Sequence, residues 1–208
     1  MKSFAAGAGI DFGGGVVSGY LLLEYDPAGT FVRSITPPVG NLKYGALGHL
    51  FTSNAVTGTV DYGCGSVGTA AVTSTVITQY DQTGTCLWSK ALPASAAFAL
   101  DPSENVLLAT TFAGTVDFGG GPLVSAGVSD LAIAKLSPSG AFLWSKSFGA
   151  SGASVSGITS LGATGTGGAA LSVAIGGAVD FVCGAVSSEA GATTLFADFD
   201  ATGTLENR

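Results

Sequence analysis

Short apolar stretches alternate with glycine-rich polar turns along this chain, and the pattern predicts β-strands joined by hairpins. Four turns of similar composition are each preceded by a strand-like segment with alternating or continuous apolar character, and three are followed by another. The predicted strands beside these turns cover residues 20–25, 30–35, 76–80, 85–90, 131–136, 141–146 and 195–199. The pattern therefore predicts an all-β chain.

A second regularity is the segment Gly-x-Val-Asp-aromatic, which occurs four times, the first copy being one residue short. The copies end in Asp11-Phe12, Asp61-Tyr62, Asp117-Phe118 and Asp180-Phe181. Their aspartates stand 50, 56 and 63 residues apart. A period near 50 is typical of repeat arrays such as propellers and solenoids. We number the four repeats as units 1 to 4.

Each unit carries a hairpin turn built from Asp, Pro, Ser and Gly, residues that preset φ, bond the local backbone or supply positive φ. The turn glycines are Gly29, Gly84, Gly140 and Gly203. A third turn aligns His49 with Asn105, and an apolar strand over 106–110 follows it in unit 3. Four strands per repeat indicate a β-propeller of four-stranded antiparallel blades.

Unit 3 carries a family resemblance. Its segments 114–121, 130–140 and 141–149 resemble the β-propeller repeats of the SBBP type, found in secreted proteins and lipoproteins, especially of myxobacteria. The resemblance implies the fold and an extracytoplasmic location for the parent protein. It implies no activity, so no catalytic residue is carried over. Unit 4 departs from the pattern, with Val182-Cys183 where unit 3 has Gly119-Gly120.

The predicted strands do not add up to a whole number of blades. Residues 1–208 form a single repeat array of about three and a half blades, which leaves open sheet edges. Three arrangements would resolve this: the chain is a fragment of a longer propeller, closes alone as a four-bladed ring, or pairs with a second copy into a seven-bladed ring. We favour the fragment and the homodimer over the lone ring.

Composition excludes several classes of protein. Glycine contributes 33 of 208 residues without the three-residue period of collagen. The net charge of −7, with only seven basic residues, disfavours nucleic acid and anionic membrane surfaces as partners. No apolar stretch approaches the roughly 18 residues that indicate a membrane helix, so no membrane insertion is expected. This chain shows no signal peptide.

Three cysteines are present. Cys64 and Cys183 each follow a repeat aspartate by three residues, and Cys86 begins the strand after the unit 2 turn. Cys64 and Cys86 are expected on neighbouring strands of one blade, where a disulfide and free thiols are both open alternatives. The position 22 residues after Cys183, where unit 2 has Cys86, is Leu205. Cys183 is therefore expected to be a free thiol or to form a disulfide between chains.

Candidate catalytic chemistry is sparse. His49 is the sole histidine, so no Ser-His-Asp or Cys-His arrangement can form elsewhere, and it is interpreted as a hairpin residue. The repeat aspartates Asp11, Asp61, Asp117 and Asp180 are interpreted as turn caps that accept backbone N–H bonds. The runs Gly13-Gly14-Gly15 and Gly119-Gly120-Gly121 lack a phosphate-loop pattern and are interpreted as turns. No cofactor and no metal site are expected.

The segment from Asp81 to Trp88 resembles the sialidase Asp-box and, more closely, the tryptophan-docking repeat of quinoprotein propellers. In those families the segment is structural, which implies that Trp88 and its counterpart Trp144 pack between blades. We therefore predict a non-enzymatic propeller scaffold or binding module, with a protein or glycan as ligand. The alternative is part of a quinoprotein-like or glycan-hydrolase-like enzyme, although Arg33 and Arg208 are too few for a sialidase arginine triad.

Overall fold

A computed structural model describes residues 10–11, 13–17, 22–35, 40–92, 95–181, 185–187 and 193–206. Over these residues the chain forms strands and turns and contains no helix. The strands pair antiparallel in several sheets. The prediction of an all-β protein is confirmed, and the strands predicted beside the turns begin within one or two residues of the observed ones, except the strand predicted from 76, which begins at Ser66.

Units 1 and 2 occupy the first half of the chain. In unit 1, two hairpins form separate two-stranded sheets, β1 (Ile10–Asp11) with β2 (Val16–Val17) and β3 (Leu22–Tyr25) with β4 (Phe31–Ile35). Unit 2 is one four-stranded sheet in sequence order, made of β5 (Asn41–Tyr44), β6 (Leu50–Asp61), β7 (Ser66–Tyr80) and β8 (Cys86–Leu92).

Units 3 and 4 repeat this plan with an added hairpin. The unit 3 sheet contains β9 (Ala97–Leu100), β10 (Val106–Phe112), β13 (Asp130–Leu136) and β14 (Phe142–Phe148), and its hairpin pairs β11 (Thr115–Asp117) with β12 (Pro122–Val124). The unit 4 sheet contains β15 (Ser154–Ala163), β16 (Ala169–Gly176) and β19 (Thr193–Phe199), and its hairpin pairs β17 (Ala178–Asp180) with β18 (Ala185–Ser187).

The Gly-x-Val-Asp-aromatic motif forms a hairpin of its own, which the count of four strands per repeat did not include. In unit 3 this hairpin begins at Gly114, whose φ of 74° is a backbone conformation that other residues rarely adopt. In unit 2 the equivalent break is only a register shift at Gly58, so β6 and β7 continue to the hairpin tip. A motif that reads as the end of one strand is therefore a separate two-stranded element in units 1, 3 and 4.

The sheets of units 2, 3 and 4 pack face to face through two apolar clusters. The strand β13 contributes to both, since Ala132 and Ala134 face the cluster shared with unit 2 while Leu131 and Ile133 face the cluster shared with unit 4. The motif hairpins fill the same interfaces. Their valine and aromatic side chains are buried there, and these are Val116, Phe118, Val179 and Phe181.

The first strands of consecutive units lie beside one another. Strands β9 and β10 both contact β15, and Ser129 forms a parallel bridge with Ser154. Between units 2 and 3, the Lys43 ammonium lies 5.5 Å from the centroid of the Phe98 ring. As a result, the turns that follow these first strands reach the same surface of the molecule.

Candidate functional site

The repeat aspartates cap the tips of their hairpins. The Asp61 Oδ1 accepts N–H bonds from Gly63 at 2.8 Å and Gly65 at 3.0 Å. Asp11 and Asp117 bind the glycines two and four residues later in the same way. All four repeat aspartates, including Asp180, are exposed. Because Asp11, Asp61 and Asp117 each bond within their own hairpin, the described residues do not bring them together into one site.

Two kinds of β-turn occupy equivalent places in the units. We call the turns between the first and second strands the A turns, and they span 45–48, 101–104 and 164–167. We call the turns between the third and fourth strands the B turns, and they span 26–29, 81–84, 137–140 and 200–203. The predicted turn glycines Gly29, Gly84, Gly140 and Gly203 end the B turns with φ between 75° and 88°.

The two tryptophans connect neighbouring units at the B turns. Trp88 Nε1 donates to the Pro138 carbonyl at 2.8 Å, and Trp144 Nε1 donates to the Ala201 carbonyl at 2.9 Å. A Cβ added at Gly140 would lie 3.0 Å from the Trp88 ring, so glycine there serves both the turn and the close approach of the indole. Each tryptophan thus fixes its unit to the B turn of the next.

Cys64 and Cys86 are joined by a disulfide with their Cα atoms 5.6 Å apart. The bond ties the unit 2 hairpin tip to the first residue of β8, just after a B turn. Nearby, the Tyr80 hydroxyl donates to the Tyr62 carbonyl, and burial raises the pKa of Tyr80 to about 12, with a smaller contribution from Tyr62. Cys183 lies outside the described residues, as does Arg208.

His49 directly follows the A turn of unit 2 and faces Glu104, a residue that sequence analysis did not single out. Glu104 is buried, has a φ of 61° and aligns with Gly48 and Gly167 in the neighbouring units. Its Oε2 lies 2.5 Å from His49 Nδ1, and its Oε1 accepts the Leu47 N–H at 2.6 Å. The sequence signal that could have identified Glu104 is that a glutamate stands where two other units have glycine.

A buried charge pair inside unit 3 also bonds to unit 4. Lys135 Nζ donates to Asp101 Oδ2 at 2.8 Å and to the Gly167 carbonyl at 2.6 Å. Burial opposes ionisation of Asp101, but hydrogen bonds from Lys135 and Asn105 outweigh it and hold the pKa of Asp101 below its usual value. Each A turn from unit 2 to unit 4 is therefore bonded to a neighbouring unit through Glu104 or Lys135.

The three A turns surround a cavity of about 420 Å³. Equivalent residues of consecutive units line it, and they are Tyr44, Leu100 and Ala163; Gly45, Asp101 and Thr164; and Ala46, Pro102 and Gly165. A second cavity of about 500 Å³ lies between units 1 and 2 and is lined by Glu24, Val32, Tyr44, Gly48 and Gln82. Tyr44, which is 47% exposed, belongs to both.

Among the described residues that line the cavity of the A turns, Asp101 is the one with an acidic side chain, and its carboxylate already bonds Lys135 and Asn105. Within the described residues, no group of three or more His, Cys, Asp or Glu side chains is placed to hold a metal ion. None of the secondary structure in that part of the chain is a helix long and apolar enough to span a membrane.

No protein-family model matches the chain, and no curated protein is significantly similar to it.

Proposed function

We propose that this chain is part of a β-propeller that acts as a binding module, with its ligand at the A turns. In this arrangement the sheets of the units are blades, their first strands surround the central channel, and the A turns form the mouth of that channel. The resemblance to SBBP-type repeats supports the same arrangement from the sequence side.

The packing of units 2, 3 and 4 supports this geometry. Consecutive sheets share apolar clusters on their faces, and the first strands of units 3 and 4 are neighbours. The fourth strand of each of units 2 and 3 is fixed to the next unit by its tryptophan. Contact only between sequential units is the property that defines repeat arrays.

The observation that carries the binding role is the convergence of three equivalent turns on one cavity. Ligand sites are concave, with volumes of roughly 300–1,000 Å³. The cavity at the A turns has about 420 Å³ and is bounded by residues from three units, whose relative positions are fixed by buried polar contacts. The pairing of Asp101 with Lys135 favours binding there over acid–base chemistry.

The sheet face of unit 4 supports completion of the ring by another unit. Phe196 aligns with Ile133, whose side chain is buried between units 3 and 4. Phe196 itself is 81% exposed, on a face where its counterpart in unit 3 packs against a neighbouring sheet. The occupant we propose is a second copy of the chain, and further repeats of a longer chain are the alternative.

Light scattering after size-exclusion chromatography tests the ring. We expect the wild-type chain to have twice the mass of one chain, which is 20.3 kDa, and Phe196→Asp to be a monomer. Leu143→Ala, at a side chain exposed on the outer strand of unit 3, is the control and should keep the dimer. A monomeric wild type would overturn self-association and leave the longer chain as the source of the missing units.

The disulfide supports the proposal of a secreted or surface location, because disulfides persist in oxidising compartments. Screening the chain against a phage-displayed peptide library and a glycan array tests the binding role. We expect at least one class of ligand whose binding is weakened by Tyr44→Ala and retained by Leu143→Ala. If every ligand found binds both variants equally, the A turns are not the binding site.

A further inference from the structure

Tyr44 forms a wall shared by two adjacent cavities. One is the cavity of about 420 Å³ at the A turns, and the other is the cavity of about 500 Å³ between units 1 and 2. A ligand that fills both must cross Tyr44 and be longer than either cavity. This favours a chain of similar building blocks over a single compact molecule.

Tyr44 departs from the repeat at this position. Units 3 and 4 have Leu100 and Ala163 there, and the three residues lie together around the first cavity. The Tyr44 side chain is 47% exposed and lies outside the apolar clusters between the sheets. An exposed aromatic ring outside those clusters provides an apolar surface against which a flat ligand group can stack.

The charges around Tyr44 select against anions. In the first cavity, Asp101 is already paired with Lys135. In the second, Glu24 contributes an acidic side chain, and no lysine or arginine is among the lining residues that the structure describes. The whole chain carries a net charge of −7. A phosphate, a sulfate or an acidic sugar would therefore meet repulsion without a basic partner.

The other polar groups among the described lining residues are uncharged. They include the Thr164 hydroxyl, the Gln82 amide and the backbone of glycine-rich turns. Uncharged sites with an aromatic surface and a polar edge match ligands that have an apolar face bordered by hydroxyls. Sugar rings have this form, and linked sugar rings also have the required length.

We infer that the two cavities bind an uncharged oligosaccharide, with one sugar ring stacked on Tyr44 and its neighbours in the cavities on either side. This inference rests on the proposed binding role of the A turns and names the ligand class for it. An extended peptide is the competing ligand, and the experiment separates the two.

The probes are neutral hexasaccharides of four linkage types, cellohexaose, chitohexaose, maltohexaose and xylohexaose, and an anionic hexasaccharide of hyaluronan. Titration calorimetry and saturation-transfer NMR measure binding to the wild type and to Tyr44→Phe, Tyr44→Ala and Leu143→Ala. Leu143 matches Tyr44 in exposure, at 48% against 47%, and lies away from both cavities.

We expect at least one neutral hexasaccharide to bind, and the anionic one not to bind. Loss of one aromatic contact should weaken binding by roughly three- to tenfold in Tyr44→Ala, while Tyr44→Phe and Leu143→Ala bind like the wild type. The affinity should also fall for the disaccharide of the same linkage, since a disaccharide cannot occupy both cavities.

Three results would overturn the inference: no neutral hexasaccharide binds, Tyr44→Ala binds as well as wild type, or the anionic hexasaccharide binds better than the neutral ones. Peptides from the phage library that require Tyr44, without any sugar binding, would reject the oligosaccharide and keep the binding module. Circular dichroism of Tyr44→Ala must match that of the wild type for its loss of binding to count.

Discussion

Glu104 reaches from unit 3 to His49 of unit 2, with 2.5 Å between its Oε2 and the histidine Nδ1. The glutamate is fully buried and adopts a left-handed backbone conformation that costs roughly 1 kcal/mol or more in a residue other than glycine. The same carboxylate accepts the Leu47 N–H. The hydrogen bonds of Glu104 to unit 2 therefore offset the free-energy cost of its backbone conformation.

Replacing Glu104 should lower the free energy of unfolding. In Glu104→Gly the backbone strain is relieved, but two hydrogen bonds to a charged group are lost, each contributing roughly 1.5–3 kcal/mol. We expect a net loss of about 2 kcal/mol in urea unfolding. Glu104→Gln keeps an acceptor and should lose about half as much. Ser103→Ala, at an exposed side chain of the same turn, is the control, and a stabilised Glu104→Gly would contradict the prediction.

Trp88 should stabilise the interface between units 2 and 3 by packing more than by its hydrogen bond. Trp88→Phe removes the bond to the Pro138 carbonyl and should cost about 1 kcal/mol. Trp88→Ala also leaves a space against Gly140 and should cost about 3 kcal/mol. Guanidinium unfolding measures both. Leu87→Ala, at the exposed preceding residue, should change stability little, and equal losses for all three variants would reject the interface role.

The Cys64–Cys86 disulfide closes a separation of 22 residues. Removing it in Cys64→Ser/Cys86→Ser should lower the free energy of unfolding by about 3 kcal/mol, because the unfolded chain regains loop entropy. Unfolding in urea with and without reductant checks this. The Cys183→Ser chain is the control and should lose the same stability on reduction. The outcome that contradicts the prediction is a double variant that unfolds at the wild-type midpoint.

Acid should weaken the ion pair of Asp101 with Lys135 inside unit 3. The pKa of Asp101 is lowered from 3.8, so its ionised form favours the folded chain at neutral pH. That stabilisation is present above about pH 4 and is lost as the pH falls through the lowered value. Urea midpoints between pH 6 and pH 2.5 should show the wild type converging on Asp101→Asn. Ser103→Ala should follow the wild type throughout, and a constant gap between wild type and Asp101→Asn would refute the assignment.

The sequence predicted local features because their causes are local. Glycine, aspartate and proline fix turn geometry through their own backbone preferences, so Gly84 and Gly140 mark turns without reference to the rest of the chain. The spacing of the aspartates also located the units. It did not reveal that the motif forms a separate hairpin, since the valine and aromatic residues of a hairpin and of a continued strand alternate alike.

The site could not be predicted in the same way. Tyr44 and Glu104 are ordinary residues in sequence, distinguished only by departing from the other units at their positions. Their importance comes from which unit each one faces. Glu104 contacts His49 from 55 residues away, and Tyr44 lines one cavity with Leu100 and Ala163 only because three turns converge.

The sequence by itself determined the all-β character, the repeat and the places of the turns, since hydrophobic alternation and turn chemistry act over a few residues. Only the tertiary structure decided which faces of the sheets pack together, that Cys64 and Cys86 bond, and that Lys135 and Glu104 tie one unit to the next. Those contacts depend on the stacking of whole sheets, in which residues far apart in sequence become neighbours.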